Sequence, residues 1–269
     1  MPIRLIAMDM DDTLLNSEGE ISARNLAALD RAKSGGARIV LASGRMIESM
    51  LDAAERVGVN APLIAYNGAA VYDARARRIL RQFPVPAGAA RELCALAERL
   101  GIHAQGYAGG GYFFPEHDEF SERYAESVGV RGSAAGLPLS EYIAEDLFKI
   151  LLIGPEERIA EALPLFRKQF EGVVNCANSK PIYIECVAPG VDKGGALQAL
   201  AQDLGIPREE ILAFGDGQND LEMLRFAGLG YAMGNAGERV RAQAPRVAPS
   251  NDEDGVAQVI EQLVLRREG

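Results

Sequence analysis

The chain has 269 residues, and 48% of them are hydrophobic against 25% charged, an ordinary globular mixture and not a disordered one. By surface scaling, a chain of this size buries about 73% of its extended surface and needs neither disulfides nor a structural metal to hold a core. Lys plus Arg number 28 against 38 Asp plus Glu, a net charge of −10 that argues against a nucleic-acid surface, which needs a basic stripe.

The three cysteines (Cys94, Cys176, Cys186) form no CxxC pair and read as buried or half-buried thiols of a reducing compartment. Two histidines, His103 and His117, are too few for a multi-histidine zinc site. The apolar run Leu5 to Met8 is cut by Asp9, Asp11 and Asp12, which no signal peptide would tolerate, and no stretch approaches the ~20 apolar residues of a membrane span. These features lead us to expect a cytoplasmic protein that works without membrane or nucleic-acid partners.

In chain order, Ile3–Met8 reads as a strand buried on both faces. Ser22 offers an N-cap for a helix with Leu26, Leu29 and Ala32 on its apolar face, stopped by Gly35-Gly36. Ala37–Ala42 is a second strand, Ile47–Val57 a helix, and Leu63–Tyr66 a third short strand after Pro62. The same alternation returns late in the chain. Gly195–Leu204 is helical, Ile211–Phe214 a strand, Leu221–Ala227 a helix, Gly230–Met233 a strand and Val256–Leu265 a closing amphipathic helix. Such alternation implies an α/β fold whose core is a doubly wound, mostly parallel sheet with right-handed crossovers.

Between these outer parts the texture changes: Gly106, Gly109, Gly110 and Gly111, most of the aromatics and alternating runs such as Pro181–Val187 fall here. We expect residues 85–187 to form an inserted α+β domain, with 1–84 and 188–269 closing one discontinuous core. Within the insert, the stretch from Gly106 to His117 reads as a hairpin turn with aromatics packed beneath it, in preference to a mobile loop over a ligand.

In an open parallel sheet ligands bind beyond the carboxyl ends of the strands, and the polar clusters fall there. Asp9-Met10-Asp11-Asp12-Thr13 follows the first strand, Ser43-Gly44-Arg45 the second, and Asp216-Gly217-Gln218-Asn219-Asp220 the strand Ile211–Phe214. Of two carboxylates two residues apart, one can attack phosphorus while the other protonates the leaving oxygen and later deprotonates water, with Thr13 orienting the pair. Two acids beside a phosphate dianion repel, each unit pair at 4 Å costing ~4 kcal/mol at an effective dielectric of 20. A hard divalent cation such as Mg²⁺ offsets that, with Asp216 as a further oxygen ligand. Ser43 and Gly44 provide a hydroxyl and an open backbone N–H for an anion, although Ser43 is equally suited to capping. Arg45 suits either a substrate contact or an ordinary salt bridge, and Lys193 either an ordinary surface position or, if the two loops meet, a phosphate contact steadied by Asp220.

The order and spacing of DMDDT (9–13), LASGR (41–45), YNGA (66–69), DKGGAL (192–197), GDGQND (215–220), AMGNA (232–236) and NDEDGVA (251–257) resemble the haloacid dehalogenase-like hydrolases. The match is to their Cof-type subfamily of capped sugar- and cofactor-phosphate phosphatases, and it covers both outer parts of the chain. The resemblance implies a Rossmann-like core with an α/β cap and Mg²⁺-dependent hydrolysis of a small phosphorylated metabolite. Asp9 then matches the nucleophile and Asp11 the general acid/base, while Met10, Ser43, Gly44, Lys193 and Asn219 match phosphate-binding positions. The metal would be held by Asp9, the Asp11 backbone carbonyl and Asp216, with Thr13, Arg45 and Asp220 in support. Asn67 and Asn235 lie in recurrent signatures with structural and substrate-loop roles both open. Asp12 departs from the family, which commonly has Gly there. A phosphomutase of the same fold is the second reading, and a phospho-aspartate signalling receiver the third.

Overall fold

The computed structural model describes residues 2–109, 111–178 and 180–263. Gly110 of the glycine-rich stretch and Val264-Leu265 of the expected closing helix lie outside the described residues. The chain divides into two compact units, Met1–Arg81 with Asp192–Gly269, and Gln82–Val191.

The first unit opens with β1 (Leu5–Met8), α1 (Ala23–Ser34), β2 (Arg38–Leu41), α2 (Leu51–Val57), β3 (Leu63–Ala65), β4 (Ala70–Asp73) and β5 (Arg78–Gln82). Ser22 caps α1 by accepting a hydrogen bond from the Asn25 amide, so the first turn has a partner for a donor that the helix itself leaves unpaired. The expected helix over Ile47–Val57 begins as a tighter turn at Glu48–Met50 before α2.

Residues 82–191 form the second unit: α3 (Ala87–Arg99), β6 (His103–Ala108), β7 (Gly111–Phe114), α4 (Glu119–Val128), β8 (Ser133–Ala134), α5 (Leu139–Tyr142), β9 (Lys149–Ile153), α6 (Glu156–Gln169), β10 (Asn175–Asn178) and β11 (Tyr183–Val187). Its six strands are ordered β10-β11-β9-β6-β7-β8, antiparallel except for the β7–β8 pair. The Gly106–His117 stretch is a hairpin of β6 and β7, with Tyr107, Tyr112 and Phe114 buried against the sheet. The apolar core of this unit joins α3 (Leu93, Cys94, Ala97) and α6 (Ile159, Phe166) to Ile150, Leu152 and Ile184 of the sheet.

The chain then returns to the first unit with α7 (Lys193–Asp203), β12 (Ile211–Gly215), α8 (Leu221–Phe226), β13 (Leu229–Ala232), α9 (Glu238–Gln243), β14 (Arg246–Val247) and α10 (Gly255–Leu263). Its main sheet is fully parallel, in the order β14-β13-β12-β1-β2. Leu5, Ala7, Val40, Ile211 and Ala213 face Leu197, Leu200, Met223 and Leu224 of α7 and α8. The alternate residues Ile6, Met8, Ile39, Leu41, Leu212 and Phe214 are equally buried and point the other way, so both faces of the sheet are covered, as the continuous apolar runs require. On the α1 side, Asn25 accepts a hydrogen bond from the Ala257 amide at the start of α10.

The sequence reading of β3 needs one correction. Tyr66 is not part of the strand: β3 ends at Ala65, and Tyr66, Asn67 and Gly68 turn with positive φ of 53°, 56° and 104°. Among the described residues β3 meets the parallel sheet through a bridge between Ala42 and Ile64, and it pairs antiparallel with β4 in a separate sheet with β5; periodicity revealed neither β4 nor β5.

Candidate active site

The loops at the carboxyl ends of β1 and β12 meet the start of α7, and the loop after β2 joins the β1 loop through Arg45 and Asp11. Asp9 leaves β1 with its amide donating to the Phe214 carbonyl at 3.1 Å, which pins it beside β12. Lys193, the first residue of α7, is wholly buried, and its Nζ lies 2.8 Å from Asp9 Oδ1 and 2.6 Å from Asp220 Oδ1. Asp220 Oδ2 accepts from the amides of Asp216 and Gly217 at 3.0 and 2.9 Å. Both oxygens of Asp220 are thus committed to shaping the loop and holding the lysine. Gly215 belongs to this arrangement, because a Cβ there would overlap the Asp220 side chain. Thr13, fully buried, donates to Asp216 Oδ1 at 2.8 Å.

Burial raises the Asp9 carboxyl to about 8, with Asp220 and Asp216 acting in the same direction and Lys193 against it. Asp216 is raised to about 6, first by burial and then by Asp220. Burial alone would depress Lys193, yet Asp220 and Asp9 hold its ammonium above the ordinary lysine range. The 2.8 Å contact to Lys193 is that of an ionised Asp9, whereas its raised pKa favours the neutral acid. Both follow from one shortage: three carboxylates surround a single ammonium, leaving two negative charges unmatched.

The residues present fit a hard divalent cation. Carboxylate oxygens of Asp9, Asp216 and Asp220 all lie within 4.8 Å of one another, an all-oxygen donor set with the matching charge deficit. Among the described residues, Asp9 Oδ2 and Asp216 Oδ2 stand outside the bonds above, so these two atoms are the side-chain donors available to it. The Asp11 side chain is not in this group.

Asp11 points instead to Arg45, whose Nε and Nη2 approach its two oxygens at 2.8 and 2.6 Å. Arg45 therefore forms the salt bridge that was one of its two sequence readings, and the pair is half-exposed. Asp12 adopts φ +54°, the left-handed region that Asp tolerates better than most residues and Gly best, which accounts for the departure from the family pattern. Met10 is buried behind these acids.

The Ser43 Oγ accepts from the Arg45 amide at 3.1 Å, and its backbone exchanges bonds with Ile64 and Asn67, so it acts locally as a turn organiser. Asn67 Oδ1 accepts from Asn219 Nδ2 at 2.9 Å, joining the loop after β3 to the acidic loop after β12. Gly44 lies under that side chain, where an added Cβ would sit 3.0 Å from Asn67 Oδ1. Asn235 Nδ2 donates to the Asp12 carbonyl at 2.7 Å, and its Oδ1 accepts from the Asn251 amide. Asn251, to which sequence reasoning assigned no role, donates from Nδ2 to the Leu15 carbonyl at 3.0 Å inside the core. The signal for these asparagines was present as motifs, but motifs do not say which loops they tie.

The model of the haloacid dehalogenase-like hydrolases matches residues 6–260. The chain belongs to that family. A solved haloacid dehalogenase-like hydrolase from Bacteroides thetaiotaomicron superposes with a TM-score of 0.89 at 31% identity, covering 97% of this chain and 99% of that one. Among curated relatives, the 5-amino-6-(5-phospho-D-ribitylamino)uracil phosphatase YitU of Bacillus subtilis is 30% identical, and the alignment covers 96% of each chain. The pyridoxal phosphate phosphatase YbhA of Escherichia coli is 26% identical over 97% of this chain and 98% of its own. This member of the haloacid dehalogenase-like family is a phosphatase. Among its described residues no helix is long and apolar enough to cross a membrane.

Proposed function

We propose that this phosphatase is Mg²⁺-dependent and hydrolyses a small phosphorylated metabolite, a sugar phosphate or a related monoester, through an aspartyl-phosphate on Asp9. One observation carries the reading: Asp9 sits at a strand end with Oδ1 on Lys193 and Oδ2 outside that contact, and its carboxylate lies within 4.8 Å of that of Asp216. The family relatives support the substrate class, being named for a phosphorylated ribitylaminouracil and for pyridoxal phosphate.

In this scheme an Asp9 oxygen attacks phosphorus in line with the departing alkoxide, and the ester P–O bond breaks as the Asp9 O–P bond forms. Lys193 and the backbone amides near Met10, Ser43 and Gly44 meet the phosphoryl oxygens, with Asn219 at the edge of the acidic loop. Asp11 gives the leaving alkoxide its proton and afterwards takes one from the water that attacks phosphorus, returning Asp9 as a carboxylate. That proton traffic requires the Asp11–Arg45 ion pair to loosen when substrate arrives, since Arg45 occupies both carboxylate oxygens. Mg²⁺, when held by Asp9, the Asp11 carbonyl and Asp216, supplies positive charge between the carboxylates and the phosphate.

The direct test is phosphate release from a panel of pyridoxal phosphate, hexose phosphates, phosphorylated sugar acids and a phosphorylated ribitylaminouracil. We expect turnover with Mg²⁺ and its loss in EDTA, restored by adding Mg²⁺ back. Undiminished turnover after chelation would rule out the metal.

A second expectation follows from the raised carboxyls. Asp9 (about 8) and Asp216 (about 6) both lie above their ordinary 3.8, so in the metal-free protein their contribution to stability is full below about pH 4. It is lost as the pH rises through 6 and 8. Mg²⁺ binds the ionised carboxylates, so it should raise the melting temperature clearly more at pH 8 than at pH 5. Melts with and without Mg²⁺ at the two pH values check this, and an equal rise at both would contradict it.

A further inference from the structure

Cys176 of β10 and Cys186 of β11 are direct cross-strand partners, and the Cys186 thiol donates to Cys176 Sγ at 3.3 Å. Opposed residues of an antiparallel pair have Cα atoms roughly 4.5–5.5 Å apart, inside the range a disulfide spans without backbone movement. The two sulfurs differ in surroundings. Both are buried, Cys186 wholly and Cys176 at 2% exposure, but Cys176 also forms part of the wall of a cleft of about 670 Å³ together with Pro164, Arg167, Lys168, Asn175 and Pro189. Arg167 is anchored there by donating from Nε to the Cys176 carbonyl at 2.9 Å. The cleft is the side from which a molecule as small as a peroxide would approach Cys176, and the Arg167 guanidinium lies on that side.

We propose that Cys176 and Cys186 are a modification site for peroxides, forming a reversible disulfide across β10 and β11. The hydrogen bond from Cys186 holds the Cys176 thiol below its ordinary value against burial, and the Arg167 guanidinium acts in the same direction. Burial holds the Cys186 thiol well above its own. Cys176 is therefore the attacking sulfur. Its thiolate takes one peroxide oxygen as the O–O bond breaks, and the other oxygen leaves as hydroxide, protonated to water. The Cys186 sulfur then attacks the sulfur of the Cys176 sulfenic acid. The S–O bond breaks, and the departing hydroxide leaves as a second water after gaining the Cys186 proton. Two thiols lose two electrons and one peroxide becomes two waters. Cys94 is buried on α3, pushed up to about 12, and serves as the internal control.

The experiment uses the reduced full chain treated with hydrogen peroxide, then alkylated under denaturing conditions, digested and mapped by mass spectrometry. The expected product is a Cys176–Cys186 cross-link, at least tenfold above any pair containing Cys94 and lost on treatment with dithiothreitol. In Cys186→Ala, where Arg167 remains but the Cys186 hydrogen bond is gone, dimedone should still label Cys176, more slowly than peroxide consumes the pair in the parent chain, and in Cys176→Ala it should leave Cys186 unlabelled. Both sulfurs staying alkylatable while a glutathione control is consumed, or oxidation falling on Cys94 instead, would overturn the assignment. The wild-type arm needs no variant to fold, and the readout is independent of phosphatase activity.

Discussion

Replacing Lys193 with Met should remove phosphatase activity and cost about 3–5 kcal/mol of stability, the usual penalty for breaking a buried ion pair by deleting one partner. Lys193 is the ammonium that both Asp9 and Asp220 approach, at 2.8 and 2.6 Å, in a place closed to water. Methionine matches the length of the stem but leaves three carboxylates facing one another with no cation among them. Urea denaturation reads the loss. Adding Asp220→Asn to the same chain should recover a sizeable part of the stability but none of the turnover, because it removes the repulsion without restoring the charge on the phosphate side. A single variant with unchanged denaturation midpoint would mean that Lys193 does not balance these acids.

Asp9→Asn gives the opposite combination. The amide keeps the shape of the side chain but cannot form the acyl-phosphate, so phosphate release should fall by at least about 10³-fold, with any residue of catalysis coming from binding alone. Stability should hold or rise at pH 8, since the raised carboxyl of Asp9 marks an ionised state that the fold disfavours there. Steady-state phosphate release and thermal melts on the same preparation separate the two effects. Turnover near the parental value would remove Asp9 as nucleophile, whatever the melts show.

The clusters around Asp9, Ser43 and Asp216 were legible because each is a local statement. An apolar run followed by Gly and Asp is a strand running into a loop, and in a parallel sheet such loops share an edge. The N-cap at Ser22 and the hairpin beneath Tyr107 and Tyr112 were readable for the same reason, since their partners lie within a few residues. The departure of β3 into an antiparallel sheet was not, because Leu63–Ala65 has the same apolar texture as the parallel strands and its pairing is settled by β4. Tyr66 departs from the sequence pattern for a related reason: an aromatic after a buried strand normally extends it, whereas here the bonds of its loop to Ser43 and Arg45 accompany a positive φ.

Residue types and their order therefore determined the α/β alternation, the three acidic and polar loops and the candidates for the reactive groups. Tertiary structure alone decided that Asp220 spends both oxygens on Lys193 and the loop amides, that Arg45 clasps Asp11, and that Asn67 meets Asn219 across 152 positions. Hydrogen bonds and charge pairs act over about 3 Å in space and leave no mark in the spacing of residues that far apart along the chain.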